Sequence, residues 1–585
     1  MNCRMVRSGR GPFLTLIPDQ GGISRNAPRR TCHRAHGRLE SSDKPSFEHY
    51  FGISDRKRLL LGYGNLIIPE GPFSWQGDGA TLAHLLDFSL AGFVFVRYSI
   101  RIVKHLLFAL CSGIGGALIA AVVGYGFYLD DRPDLSPWHT IDLDEEYHAE
   151  RSGDVADLPA YLQLEDRLFD EVRRKIYRHD PPTGADALNR FVAGSATDPE
   201  HFDHNWNRTF ELQTETPRAG VLLLHGLSDS PYSMRALAMM LHDHGALVVG
   251  LRVPGHGTAP VGLTKIRWQD FAAAVRLAAR HVAGQLPEGR PFFIVGYSNG
   301  AALAVEYSLA AMAGEDLPRP KGLMLLSPAI GITRAAVFAA WQARAAELTG
   351  LDKLAWTDIL PEYDPYKYNS FAVNAGEQMY QLTQEIASRI DQLGPGTGIK
   401  GFPKVLAFQS LVDATVIPSA LVDGLLRKLA AEGHELVLFD INRVAMAEPF
   451  LRAGKVQLRD ELVSDAGLPF TLTLITNVDE HSREVMAERK DPFGDNPSRL
   501  PLGLSWPPGI YSLAHVALPF SPDDAHYGYA APVGPGLPLG RLEARGEENV
   551  LLVSASQMLR LRANPFMPYV EKRMLDFFEL AAAKK

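Results

Sequence analysis

At 585 residues the chain is too long for one ordinary domain, and 46% apolar with 22% charged residues is a globular composition, which excludes a fibrous or wholly disordered chain. The 59 basic residues against 67 acidic ones give a net charge of −8 without a long basic block, which argues against a nucleic-acid partner. The three cysteines are Cys3, Cys32 and Cys111, so no disulfide framework or cysteine-based metal site is expected beyond them.

Residues 1–104 are expected to form a partly disordered N-terminal region. The first fifty carry nine Lys/Arg against four Asp/Glu and show no period. A transmembrane helix is expected over 105–129, where "LLFALCSGIGGALIAAVVGYGFYL", Leu106–Leu129, holds no charge. As a helix that run is about 36 Å long, against about 30 Å of hydrocarbon. Arg97, Arg101 and Lys104 precede it, and Asp130 and Asp131 follow it. The positive-inside bias predicts a single-pass membrane protein with a cytoplasmic N-terminus and an extracytoplasmic C-terminal domain. The periplasmic side of a bacterial inner membrane is the expected compartment.

Residues 130–215 read as a polar linker followed by an amphipathic helix, "LPAYLQLEDRLFDEVRRKIY". From residue 216 to 585 apolar strands alternate with helices. "GVLLLHG", "ALVVGLRVPGHG", "PFFIVGYSNG", "KGLMLLSPA", "FPKVLAFQS" and "HELVLFDIN" are the strands. This alternation predicts right-handed βαβ units, hence a three-layer α/β domain around a mostly parallel sheet. Two stretches break it. Residues 331–400 are helical and aromatic-rich, the place of a lid, and 441–510 form a second insertion with a strand candidate at "FTLTLITN".

"IVGYSNGAA", residues 294–302, places Ser298 at a strand-to-helix corner between Gly296 and Gly300. Bulky neighbours would collide there, and the helix start turns free N–H groups toward the hydroxyl. A serine nucleophile needs a base, and the base needs an orienting acid. Asp413 follows an apolar strand in "AFQSLVDATVIP", with Asp440 as its rival. His515, in "GIYSLAHVALPF", is the candidate base, against His434, His481 and His526. His225 and Gly226 shape a loop whose Leu227 N–H can join that of Asn299 in an oxyanion hole. No metal-ligand spacing is present, and no metal or organic cofactor is called for.

"LLLHGLSDSPYSMRALAMMLHDHGALVVGLRVPGHGTAP" followed by "GYSNG" resembles the α/β-hydrolase superfamily, in the branch of monoacylglycerol lipases, carboxylesterases and serine aminopeptidase-like proteins. The resemblance covers roughly 216–425 and the His515 region. It implies an α/β-hydrolase fold, a triad of Ser298, Asp413 and His515, and an oxyanion hole at Leu227 and Asn299. The chain departs from the family in one respect: about a hundred residues separate Asp413 from His515, where a few tens are usual. The expected activity is hydrolysis of small-molecule or lipid carboxylic esters; no protein partner is indicated. An aminopeptidase, with Glu306, Glu362 or Asp364 receiving the substrate amine, and a non-catalytic membrane-tethered binding module are the alternatives.

Overall fold

The computed structural model describes residues 79–581 apart from 332–350, 395, 397, 445–453, 455, 531–536 and 543–549. The expected disorder of residues 1–50 lies outside the described residues. Two compact units divide the chain, Met1–Ile102 and Val103–Lys585. Of the first, residues 79–102 are described, and they are helical.

Helix α1 runs Gly79–Asp130, so the helix begins well before the apolar run that predicts it. The reason is local: residues 79–104 are rich in Leu, Ala and Phe and hold no proline to stop a helix. Within Val103–Asp130, Leu106, Phe108, Leu110, Ile114, Val123 and Phe127 are exposed. The stretch Arg97–Ala117 is long and apolar enough to cross a membrane, and none of it is buried. The end of α1 is anchored. Leu129 packs on Leu354 and Ala355. Arg132 donates to the carbonyls of Lys353, Trp356 and Thr357 at 2.8–2.9 Å, and Lys353 Nζ donates back to the Arg132 carbonyl.

The polar stretch after α1 is not a free linker. Trp138, Tyr147 and Val155 are buried, and helix α2, Leu158–Lys175, turns Leu158, Tyr161 and Leu168 inward. A buried ion cluster pins these residues to the sheet. Arg252 donates bidentately to Glu146 at 3.1 and 3.2 Å and through Nε to Glu165 at 2.8 Å. The Tyr161 hydroxyl donates to the Arg252 carbonyl at 2.8 Å. The linker signal was misleading because charges usually mark solvent; here opposite charges neutralise one another in the interior.

The strands are β1 Phe210–Leu212, β2 Ala219–Leu224, β3 Ala246–Leu251, β4 Phe292–Tyr297, β5 Gly322–Leu326, β6 Trp356–Asp358, β7 Phe371–Ala372, β8 Lys404–Ser410, β9 Glu435–Phe439, β10 Thr471–Asn477, β11 Glu484–Lys490 and β12 Ser498–Ser505. Ten form one sheet in the order β1-β3-β2-β4-β5-β8-β9-β10-β11-β12, and β6 and β7 pair separately. From β3 to β10 all neighbours are parallel. Both faces are covered, so the strands read as continuous apolar runs. Leu222 and Leu224 of β2 face one core with Val275, Leu303 and Ile386; Val221 and Leu223 face the other with Leu237, Leu241 and Met574.

The helices flanking the sheet include α3 Arg235–Asp243, α4 Trp268–Gly284, α5 Asn299–Met312, α6 Val373–Leu393 and α7 Met567–Phe577. Helix α6 corrects the expected lid. It buries Met379, Leu382, Ile386 and Ile390 in the main core, and its Arg389 reaches Glu306 of α5 at 3.6 Å. Its amphipathic period marks a covering layer of the sheet, not a cap over a site. Residues 332–350 of the predicted lid lie outside the described residues. The second insertion supplies β10, which continues the parallel sheet, and the antiparallel pair β11 and β12. That accounts for the long interval between Asp413 and His515.

Replacing Arg252 by Leu should leave Glu146 and Glu165 buried without a counter-charge. The expected loss is about 3–5 kcal/mol of unfolding free energy, read as a lower urea midpoint with an unchanged slope. A midpoint within error of the parent would show that residues 130–175 are not held by this cluster.

Candidate active site

Between β4 and α5 the chain turns within one residue. Ser298 has φ 54° and ψ −111°, a conformation costing about 1–3 kcal/mol for a side-chain-bearing residue. The turn is set by close packing. A Cβ at Gly300 would lie 2.2 Å from the Leu224 carbonyl oxygen, and one at Gly296 would lie 2.4 Å from Ala301 Cα. The Ser298 N–H donates to the Leu326 carbonyl at 2.9 Å, which locks the corner to β5.

The loop after β2 passes over this corner. A Cβ on Gly226 would approach the Tyr297 ring at 3.0 Å and Ser298 Cβ at 3.4 Å. His225 fixes the loop from below. Its Nε2 accepts from the Val253 N–H at 3.0 Å, so its Nδ1 is the donor to the Gly226 carbonyl at 2.8 Å. Burial, and then the nearby His256, hold its pKa well below the ordinary value, so the ring is neutral. Among the described residues the backbone N–H groups of Leu227 and Asn299 have no hydrogen-bond partner. An orphan donor from the loop and another from the start of α5 can together receive a negative oxygen.

Asp413 and His515 meet although 102 residues separate them: His515 Nδ1 lies 2.8 Å from Asp413 Oδ2. Asp413 Oδ1 accepts from the backbone N–H of Thr415 at 2.8 Å and of Val416 at 3.1 Å. Burial alone would raise the Asp413 carboxyl, but the His515 bond and charge together with these two amides outweigh it and hold the group below the usual range. The loop that carries His515 is tied to the sheet. Ser410 Oγ donates to the Leu513 carbonyl at 2.7 Å, and the Tyr297 and His515 rings lie 5.3 Å apart. Among the described residues no hydrogen bond joins the Ser298 hydroxyl to the His515 ring.

Gln409 carries no motif and is not among the candidates from sequence. Its Nε2 donates to Asp413 Oδ2 at 3.0 Å, so the oxygen facing His515 has a second donor. The rivals are engaged elsewhere. Asp440 accepts from Arg443, Thr476 and the Ile441 N–H. His434 accepts from the Val405 N–H, and burial lowers its pKa to about 4. His481 sits in the turn between β10 and β11, not at a helix start, where its N–H donates to Asp479. His526 packs among Phe202, Tyr232 and Tyr366.

The candidate amine receptors are also occupied. Glu306 pairs with Arg276 at 2.9 Å. Glu362 accepts from the Asn369 and Ser370 N–H groups, and burial raises its carboxyl to about 7. Asp364 accepts from the Tyr527 hydroxyl and the Tyr366 N–H. Among the described residues no three His, Cys, Asp or Glu side chains cluster as metal ligands.

Residues 215–439 match the serine aminopeptidase (S33) family of hydrolases. No protein of curated function matches the chain. Solved structures similar to it include a metagenome-derived lipolytic enzyme at 21% identity, covering 40% of this chain and 87% of that one with a TM-score of 0.32. The monoacylglycerol lipase of Paleococcus ferrophilus is 19% identical, with 40% and 89% covered and a TM-score of 0.31. A soluble variant of the Saccharomyces cerevisiae monoglyceride lipase is 15% identical, with 40% and 82% covered and a TM-score of 0.31. The matched residues run from before β2 to the end of β9, so the stretch that is similar to this hydrolase family holds the parallel strands and the strand-to-helix turn at Ser298.

Proposed function

We propose that the chain is a membrane-anchored serine hydrolase that cleaves carboxylic esters through an acyl-enzyme on Ser298, with His515 as base and Asp413 as orienting acid. The observation that carries this reading is the Asp413–His515 hydrogen bond of 2.8 Å, closed across the ends of the parallel strands beside the strained serine. In the first step the Ser298 oxygen bonds to the ester carbon, and its proton passes to His515 Nε2. The Leu227 and Asn299 N–H groups receive the oxyanion. Collapse breaks the bond to the alcohol, which leaves with the proton from His515. Water then repeats the sequence and releases the acid. Asp413 keeps His515 Nδ1 protonated and its ring aimed, and its depressed pKa keeps it charged for that work. A charge relation of this kind does not need a preformed bond from serine to histidine, because such contacts tighten when substrate binds.

The exposed apolar surface of α1 supports a membrane span over Leu106–Leu129, and the basic residues before it and Asp130 and Asp131 after it are what favour a hydrolase domain outside the cytoplasm. A small-molecule or lipid ester is the substrate class. Residues 351–372, most of the described part of the expected lid other than α6, bring Tyr368 against the oxyanion loop, so we read that segment as part of the cover over the site.

Ser298→Ala should abolish fluorophosphonate labelling and lower kcat by several orders of magnitude with the melting curve unchanged. His515→Ala should cost about as much as Ser298→Ala, and Asp413→Asn about 10⁴-fold in kcat. His481→Ala should stay within a few fold of the parent. Labelling that survives in Ser298→Ala rules the nucleophile out.

The topology is tested separately. A reporter active only outside the cytoplasm, fused after Lys585, should be active, and protease added to spheroplasts should reach the hydrolase domain. Protection of that domain would reverse the orientation.

A further inference from the structure

Several buried cations elsewhere in this chain are surrounded by partners. The ammonium of Lys490 donates to the carbonyls of Leu462, Val463 and Asp465 at 2.8–2.9 Å. Arg276 and Arg573 pair with Glu306 and Glu435. Lys367 is different. Its ammonium makes no hydrogen bond or ion pair among the described residues, although it is only partly exposed.

Its position is defined by its neighbour. The Tyr368 N–H donates to the Ser228 carbonyl at 2.8 Å, which places Lys367 against the oxyanion loop. Burial works against the Lys367 charge, and Asp229, Asp364, Arg560 and Arg562 are among the charged groups that act on it. Arg560 approaches from the opposite side of the site: its Nη2 donates to Thr415 Oγ1 at 3.0 Å, two residues from Asp413. The Nε of Arg562 is buried without a partner. Neither carboxylate bonds the Lys367 ammonium among the described residues. Asp364 is committed to Tyr527 and Tyr366, and Asp229 already receives the Ser230 N–H at 2.8 Å, its carboxyl pushed up to about 6 by burial. A partly buried ammonium without a bonded partner is costly unless an anion completes it.

We infer that Lys367, flanked by Arg560 and Arg562, forms a subsite for a carboxylate carried by the ester substrate, on its acyl or its alcohol part. This rests on the serine-hydrolase reading and narrows its substrate to anionic esters. The subsite sits on the loop and strand ends that bear the reacting groups, so a bound carboxylate would both select the substrate and fix the scissile carbonyl over Ser298.

The test compares esters matched in length with the full chain in detergent. The mono-p-nitrophenyl ester of adipate is set against p-nitrophenyl hexanoate, and 4-hexanoyloxybenzoate against its methyl ester. The parent should favour the anionic member of one pair by about tenfold or more in kcat/KM, and the preference should shrink as salt rises. The pair that shows it identifies the side carrying the carboxylate. Lys367→Met should lower that ratio about tenfold, Arg560→Gln should lower it severalfold, and Lys367→Arg should restore most of it. An unchanged ratio in a Lys367→Met protein that melts like the parent overturns the inference. So does a parent that prefers neutral esters, a result that decides the matter even if the variant fails to fold. Fluorophosphonate labelling without anionic preference overturns this inference alone. Loss of both labelling and all ester turnover removes the hydrolase reading beneath it.

Discussion

Three backbone segments pass within van der Waals contact at the corner between β4 and α5, and the rest of the site is arranged around that constraint. Gly300 lies against the Leu224 carbonyl, and Gly226 lies over Tyr297 and Ser298. A side chain at Gly300 would strike the Leu224 carbonyl and one at Gly226 would crowd the Tyr297 ring, so these glycines let the loop after β2 and the start of α5 converge. The N–H groups of Leu227 and Asn299, on the two segments that meet here, have no hydrogen-bond partner among the described residues. The strain at Ser298 is tolerated because the strand pairing on both sides of β4 over-determines the turn.

The electrostatics divide into two kinds. Structural charges are neutralised within the fold. Arg252 with Glu146 and Glu165 holds the segment after α1 on the sheet, and Glu435 with Arg573 and Arg489 ties the C-terminal helix α7 to β9 and β11. The charges at the mouth of the site are arranged otherwise. Asp413 is stabilised by four donors and stays ionised, whereas the Lys367 ammonium has no bonded partner among the described residues. Desolvation makes both arrangements consequential, since a charge in a cleft interacts more strongly than one on the open surface.

The second insertion illustrates how a fold absorbs extra chain at the edge of its sheet. Strand β10 adds to the open edge of β9 in parallel register, and β11 and β12 return as an antiparallel pair. The loop that follows comes back over the strand ends because Asn442, Ser410 and Tyr297 hold residues 510–515 there. Adding strands at a sheet edge costs little in the core, because the existing packing of β2, β4 and β5 is untouched.

Local signals in the sequence determined much of this. The apolar runs named the parallel strands, since strands covered on both faces must be apolar throughout. The glycines around Ser298 and the His-Gly after β2 marked the corner and its loop, because close backbone approach admits no side chain. Other features were decided only by tertiary structure. The charged stretch after α1 reads as linker until Arg252, a hundred residues away, provides its counter-charge. The helix α6 reads as lid because amphipathic periodicity records that one face is buried, not what it is buried against. Gln409 and Lys367 carry no motif at all. Their significance depends on Asp413 for one and the Ser228 loop for the other, and side chains that act through partners distant in the chain leave no local pattern by which sequence can mark them.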